Sequence, residues 1–260
     1  MASIIRSLLI IAIVAAGLYL IWPTPRNSKS GASAIPEAAA LEQNGKPNEV
    51  AARARALDRL EKASQKSWVP VTDMNTRRLK TLKGGALALE STTPKEKSDE
   101  FIREYASDLF GVDPKNLSYD RVIKTDRIKV VYHQIIGGVR VFMGNLALVY
   151  DDGLLMRVQS DLSGLPIEPE APVLTVAEAE KRVQTYGAQI SNGGGAQVTL
   201  VTSEPNLKTE LFYYPAAKNL VLAYQMIVDV WKDAKHSKRM EVFVNAHDGT
   251  FIQSHYLHVD

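Results

Sequence analysis

Apolar positions recur along this chain with two different periods, and the change from one to the other marks its elements. The segment TPKEKSDEFIREYASDLFG, Thr93 to Gly111, has the helical period: Phe101, Ile102, Tyr105, Leu109 and Phe110 fall on one face. Thr93 and Glu96 have capping-box spacing, Pro94 suits the first turn, and Gly111 suits a left-handed stop. This spacing predicts a helix that lays its aromatic face on a sheet. From Lys129 the period drops to two. KVVYHQIIGGVRVFMGNLALVYDDGLLMRVQSDLSG contains three strand-like runs, with turns expected at Gly137-Gly138 and Asp152-Gly153. Val139, Val141 and Met143 are expected to point one way, Arg140 and Phe142 the other. Apolar residues on both sides predict a sheet covered by the helix on one face and partly covered on the other.

The breaker cluster PIEPEAP, Pro166 to Pro172, sets an expected domain boundary. Behind it the plan repeats. Thr175 and Glu178 form a second capping box, with Gly187 as the expected stop. SNGGGA reads as a loop. Strands are expected near Val198–Thr202, Glu210–Tyr214, Leu220–Val230 and Met240–Val244. A hairpin at His247-Asp248-Gly249 leads to a last strand, Phe251–His258. The expected fold is therefore α+β: two tandem units, residues 66–165 and 172–260, each a helix packed on an antiparallel β-sheet.

Ahead of these units, SLLIIAIVAAGLYLIWP carries no charge between Arg6 and Arg26. Its apolar core, Leu8 to Trp22, is shorter than the roughly 20 residues of a spanning helix, but flanking residues extend it. Tyr19 and Trp22 suit an interfacial anchor. Residues 1–25 are read as a hydrophobic helix that acts as an uncleaved signal anchor. The alternative is a signal peptide cleaved after Ala32-Ser33-Ala34. The expected location is the cell envelope, held by a membrane contact through residues 7–22 with the body outside the cytoplasm. Cleavage would make the chain secreted. Residues 26–65 read as a linker followed by a helix, EVAARARALDRLEKASQK. Its apolar positions Val50, Leu57 and Leu60 are sparse, so it either packs on the body or stands as a stalk.

Composition narrows the chemistry. The net charge of +2 gives no nucleic-acid footprint, so no nucleic-acid partner is expected. The absence of cysteine removes disulfides, thiol nucleophiles and thiolate metal sites. His255 and His258 lie three apart, which in a strand places them on opposite faces and makes a zinc pair unexpected. Asp151-Asp152-Gly153 lacks the alternating ligands of a calcium loop. No catalytic, metal or cofactor-binding residue is assigned, and no enzyme activity is expected.

The run VYHQIIGGVRVFMGNLALVYDDGLLMRVQSDL resembles the propeptide (FTP) domain of thermolysin- and fungalysin-type zinc proteases, which carries a pattern like Tyr-Gln-Gln-x-x-x-Gly-Val-Pro-Val-Phe-Gly. The matching positions are Tyr132, Gln134, Gly138, Val139, Val141, Phe142 and, one residue late, Gly144. EFIREYASDLFGVD is similar to that family's helix. YYPAAKNLVLAYQMIV and EVFVNAHDGTFI resemble the PepSY-type module that follows it. His133, Arg140 and Asn245 depart from the pattern. The resemblance covers roughly residues 66 to 258 and implies a module that assists or inhibits a protease. The family's catalytic mark, His-Glu-x-x-His, is absent from this sequence. The implied function is a non-catalytic, propeptide-like chaperone or inhibitor acting in trans on a secreted metalloprotease. The alternatives are an envelope binding or scaffold module without a protease partner, and the orphan propeptide of a split protease gene. Arg140, His255, Tyr256 and His258 are the candidate partner-binding residues.

Overall fold

The computed structural model describes residues 47–167, 171–190, 197–201, 208–231 and 236–257. The hydrophobic segment 7–22 and most of the linker lie outside them, as do SNGGGA and His258. Four α-helices punctuate the described chain: α1 (Pro47–Ser64), α2 (Pro94–Phe110), α3 (Val176–Val183) and the single turn α4 (Gly187–Ile190). The strands are β1 (Val69–Thr72), β2 (Leu79–Leu87), β3 (Leu117–Lys124), β4 (Ile128–Ile136), β5 (Val139–Asp151) and β6 (Leu154–Ser160). After α4 come β7 (Gln197–Leu200), β8 (Glu210–Pro215), β9 (Leu220–Trp231), β10 (Ser237–Asn245) and β11 (Phe251–Tyr256). The fold is α+β, as the periodicity predicts.

Both capping boxes form. The Thr93 hydroxyl accepts from the Glu96 N–H and the Glu96 carboxylate accepts from the Thr93 N–H; Thr175 and Glu178 repeat the arrangement. Gly111 takes the left-handed conformation that ends α2, at φ 67°. Gly187 is no such stop. Its φ is −50°, and the chain runs from α3 through a 3-10 turn into α4 without reversing. The turns at Gly137-Gly138 and Asp152-Gly153 have positive φ at both residues, which matches the twist of a tight hairpin.

Helix α2 buries Phe101, Ile102, Tyr105 and Leu109 against β2, β4, β5 and β6 in a first core. Two tyrosines fasten it to the sheet: Tyr132 donates to Asp99 Oδ1 at 2.6 Å, and the Tyr150 hydroxyl shares a hydrogen bond with Ser98 Oγ at 2.9 Å. Helix α1 also belongs to this body and is not a stalk. Ala56 and Leu60 are fully buried in the first core. Two arginines complete the contact that the sparse apolar stripe begins. Arg53 Nε donates to the carbonyl of Leu109, in the last turn of α2, where an unpaired helix carbonyl favours a cation. Arg59 pairs with Asp108 at 2.8 Å and lies over the Tyr105 ring.

Helix α3 covers a second core built on Leu222, Tyr224, Met226, Val228 and Val230 of β9 and on Met240, Val242 and Val244 of β10. The two cores share one sheet. Among the described residues all eleven strands are hydrogen-bonded into it, in the main order β1-β2-β6-β5-β8-β9-β10-β11, with β3 joined through β4 to β5 and β7 joined to β9. The join between halves is a parallel pair, Arg140 beside Phe212 and Val141 beside Tyr213. It exists because β5 distorts: its pairing with β4 jumps from Asn145 opposite His133 to Arg140 opposite Ile135. Residues 141–144 leave that ladder, and Met143 turns out at φ 55°, 67% exposed. Val139 packs against the second core, but Met143, expected on the same side, does not follow it. The expected boundary near Pro166 is likewise stitched down, since the Leu220 N–H donates to the Pro166 carbonyl.

Strands β1, β2 and β3 carry no pattern recognised in the sequence. β2 is interrupted by Gly84-Gly85, and β3 places Asp120 and Arg121 at a register break.

Candidate functional site

The β8–β11 part of the sheet has α3 on one face and no helix of the described chain packed on the other. β-Strand alternation sends Phe212 and Tyr214 of β8, Phe243 of β10 and His255 of β11 to this open side, where Phe142 of β5 joins them. Phe142 is the hub. Its ring centroid lies 4.4 Å from Phe243, 5.5 Å from Tyr214 and 5.8 Å from His255, the last two stacked. Phe212 meets it edge-on at 6.4 Å. Phe243 is fully buried and Phe212 nearly so, while Phe142, Tyr214 and His255 keep part of their surface in water. The exposed Arg140 guanidinium lies 5.8 Å from the Phe212 ring centroid. The surface is thus a layer of rings with a cation at one end and an imidazole at the other.

Polar groups frame it. Glu241 lies directly opposite His255 in the β10–β11 ladder and accepts a hydrogen bond from the Gln225 side-chain amide. Burial pushes the Glu241 carboxyl above its ordinary range, against the opposing effects of the Gln225 amide and the nearby His255. Its folded value exceeds its unfolded one. The associated stability is therefore complete below the ordinary carboxylate value and is lost as pH rises through the raised one. Glu241→Gln is expected to raise the melting temperature at neutral pH and to change nothing below about pH 4, where the unfolded carboxyl is itself largely protonated; paired melts at the two pH values check this. Beyond Glu241, Arg239 Nε pairs with Asp229 at 3.2 Å.

Of the residues proposed from sequence, Arg140 and His255 lie on this same face, at its two ends, through the β5–β8 join. Tyr256 does not. It lies opposite Met240, on the helix side, 54% exposed with Lys238 Nζ 5.0 Å from its ring centroid. His258 lies outside the described residues. Tyr214, Phe243, Glu241 and Gln225 escaped notice in the sequence. The signal that could have found them was the apolar character of both parities in β8 and β10, which marks a sheet with something to cover on each side.

A second polar cluster sits on β3, β4 and β5. His133 places Nε2 at 3.1 Å from Asp120 Oδ2 and Nδ1 at 2.6 Å from Asn145 Oδ1, and Arg121 adds a 2.8 Å contact to Asp120. Both ring nitrogens are engaged, so this histidine presents none to a substrate.

Fold and surface together define an α+β chain in which, among the described residues, no helix covers the aromatic sheet face around Phe142. Among solved structures it is similar to the Bacillus megaterium YpeB C-terminal domain, at 12% identity over 83% of this chain and 98% of that one, with a TM-score of 0.36. No protein-family model matches the chain. No curated protein matches it.

Proposed function

We propose that this chain is a non-catalytic, propeptide-like binding protein of the cell envelope. It engages a protein partner through the open face around Phe142, and by the resemblance of residues 66 to 258 that partner is a secreted zinc protease that it inhibits or helps to fold. The observation that carries the reading is the half-exposed ring layer of Phe142, Tyr214 and His255 beside the exposed Arg140. Aromatic and arginine side chains over a buried floor are the groups that dominate protein interfaces. The engaged nitrogens of His133 favour binding over catalysis. The membrane contact through residues 7–22 and the location outside the cytoplasm belong to this proposal.

The test is capture from the host's envelope by the full chain in detergent, beside an Arg140→Glu variant. The expected result is a zinc protease bound by the wild-type chain, with its activity lowered on adding that chain. Arg140→Glu is expected to weaken capture about tenfold, equivalent to about 1.4 kcal/mol. Recovery of envelope assembly proteins alone, equally by both baits, rejects the protease reading and leaves a tethered scaffold.

A further inference from the structure

Among the described residues β1, β3, β7 and β11 each pair with a single neighbour, which leaves one edge of each open. Three of these edges carry features that discourage pairing with another chain. β1 contains Pro70, β3 carries Asp120, Arg121 and Lys124 across a register break, and β7 spans four residues. β11 has no proline and no charge; its one irregularity is a register shift at Ile252, outside the run Gln253–His255. From Phe251 to Leu257 there is no proline and no Lys, Arg, Asp or Glu.

We propose that β11 pairs antiparallel with β11 of a second copy of this chain, about a twofold axis at Ser254. The register follows from the faces. Ser254 lies opposite Val242, whose side chain is in the second core, whereas Gln253 and His255 lie opposite Phe243 and Glu241 on the open side. A sheet that continues across a twofold axis matches residues of the same face. That rule sets Ser254 against its own copy and Gln253 against His255. Serine suits such an axis because a hydroxyl both donates and accepts, so two identical ones can bond each other. A charged residue there would meet its own charge.

The helix side of the same strand holds a depression of about 200 Å³ lined by Gln189, Ile190, Met240, Phe251 and Tyr256 together with Gln253 and Ser254. The added strand runs along it and covers the exposed ring of Tyr256. The edge adjoins the ring layer at His255, which stacks on Phe142, but the axis residue Ser254 lies opposite Val242 and not on that face, so a cross-link at Ser254 is read apart from the test at Arg140.

The absence of cysteine makes the test direct. Residues opposed in an antiparallel pair have Cα atoms about 4.5–5.5 Å apart, within disulfide range. The full-length Ser254→Cys chain, oxidised in its native membrane, is expected to form a disulfide dimer of twice the 28.7 kDa chain mass. Met74→Cys, at an 87% exposed position between β1 and β2, is the collision control. The Ser254→Cys chain should cross-link at least about tenfold faster than this control, because pairing raises the effective thiol concentration. In detergent the wild-type chain should sediment as a dimer, and Ser254→Lys should sediment as a monomer with unchanged circular dichroism. A monomeric wild-type chain, cross-linking no faster than the Met74→Cys control, or a disulfide from the thiol introduced at position 254 to a different protein would each overturn the proposal.

Discussion

Gly85→Ala will cost this protein about 3 kcal/mol, at the upper end of what overpacking a core does. The Trp68 indole lies flat against the Gly85 backbone. A methyl group on Gly85 would sit 1.9 Å from Trp68 Cε2 and 2.1 Å from Cζ2. The ring has no easy retreat. It is 4% exposed in the first core, its Nε1 donates to Ser64 Oγ at 3.1 Å, and its backbone N–H donates to Glu61 at the same distance. Moving it therefore disturbs the end of α1 as well as the sheet. Denaturant titration should show a lower midpoint, with the indole fluorescence of the folded state shifted to longer wavelength. Gly164→Ala is the control. The atoms nearest its methyl group are the guanidinium end of Arg78, which can swing away, so the change should stay within about 0.5 kcal/mol.

Gln134→Leu will cost a similar amount by a different route. Gln134 is 3% exposed on β4, and its amide makes two bonds to one residue of the connector: Nε2 donates to the Ser163 carbonyl at 2.7 Å, and Oε1 accepts from the Ser163 N–H at 2.8 Å. The side chain acts as a short extra strand that ties the chain leaving β6 to the sheet. Leucine fills much of the volume but leaves both Ser163 groups without this partner. At about 1–3 kcal/mol for each unsatisfied group, and with Ser163 half-buried, the expected loss is about 3 kcal/mol. The denaturant midpoint should fall, and limited proteolysis should cut within residues 161–167, which the wild-type protein protects. A midpoint within experimental error of wild type would show that water replaces the amide. Gly144 belongs to the same device: a side chain there would lie 3.1 Å from Gln134 Cβ and Oε1 and 2.9 Å from Val141 Cβ.

The elements that were legible in the sequence are those whose signal is local. The capping boxes at Thr93 and Thr175 and the paired turn glycines involve residues a few positions apart, and local hydrogen bonds and backbone sterics decide them. The aromatic face of α2 and the alternation of β4, β5 and β9 were legible because the two sides of each element meet different surroundings. Gly187 misled because a glycine stops a helix only if the chain must reverse there, and Tyr186, whose hydroxyl donates to the Gly249 carbonyl, holds the backbone on course. The sparse apolar positions of α1 left packing and a free stalk both open, because Arg53 and Arg59, which add to the docking of Ala56 and Leu60, are residues that a count of apolar positions scores as solvent-facing.

The candidate site was legible in part. Arg140 drew attention by departing from a family pattern and His255 by its place in the last strand, yet nothing in the sequence joins them. Their sharing one face requires β5 to leave the β4 ladder at residues 141–144 and its first residues to lie parallel to β8. Register across residues 140 and 212 depends on how two cores settle against each other, and no local preference encodes that. Composition and period thus determined that this is an α+β chain with two capped helices over antiparallel strands. Only the tertiary structure decided that the two halves share one sheet and that Phe142 gathers a ring layer from four strands. Among the described residues it also left β11 with one neighbour and an uncharged edge, because long-range pairing, unlike capping or alternation, is settled by packing between segments far apart in the chain.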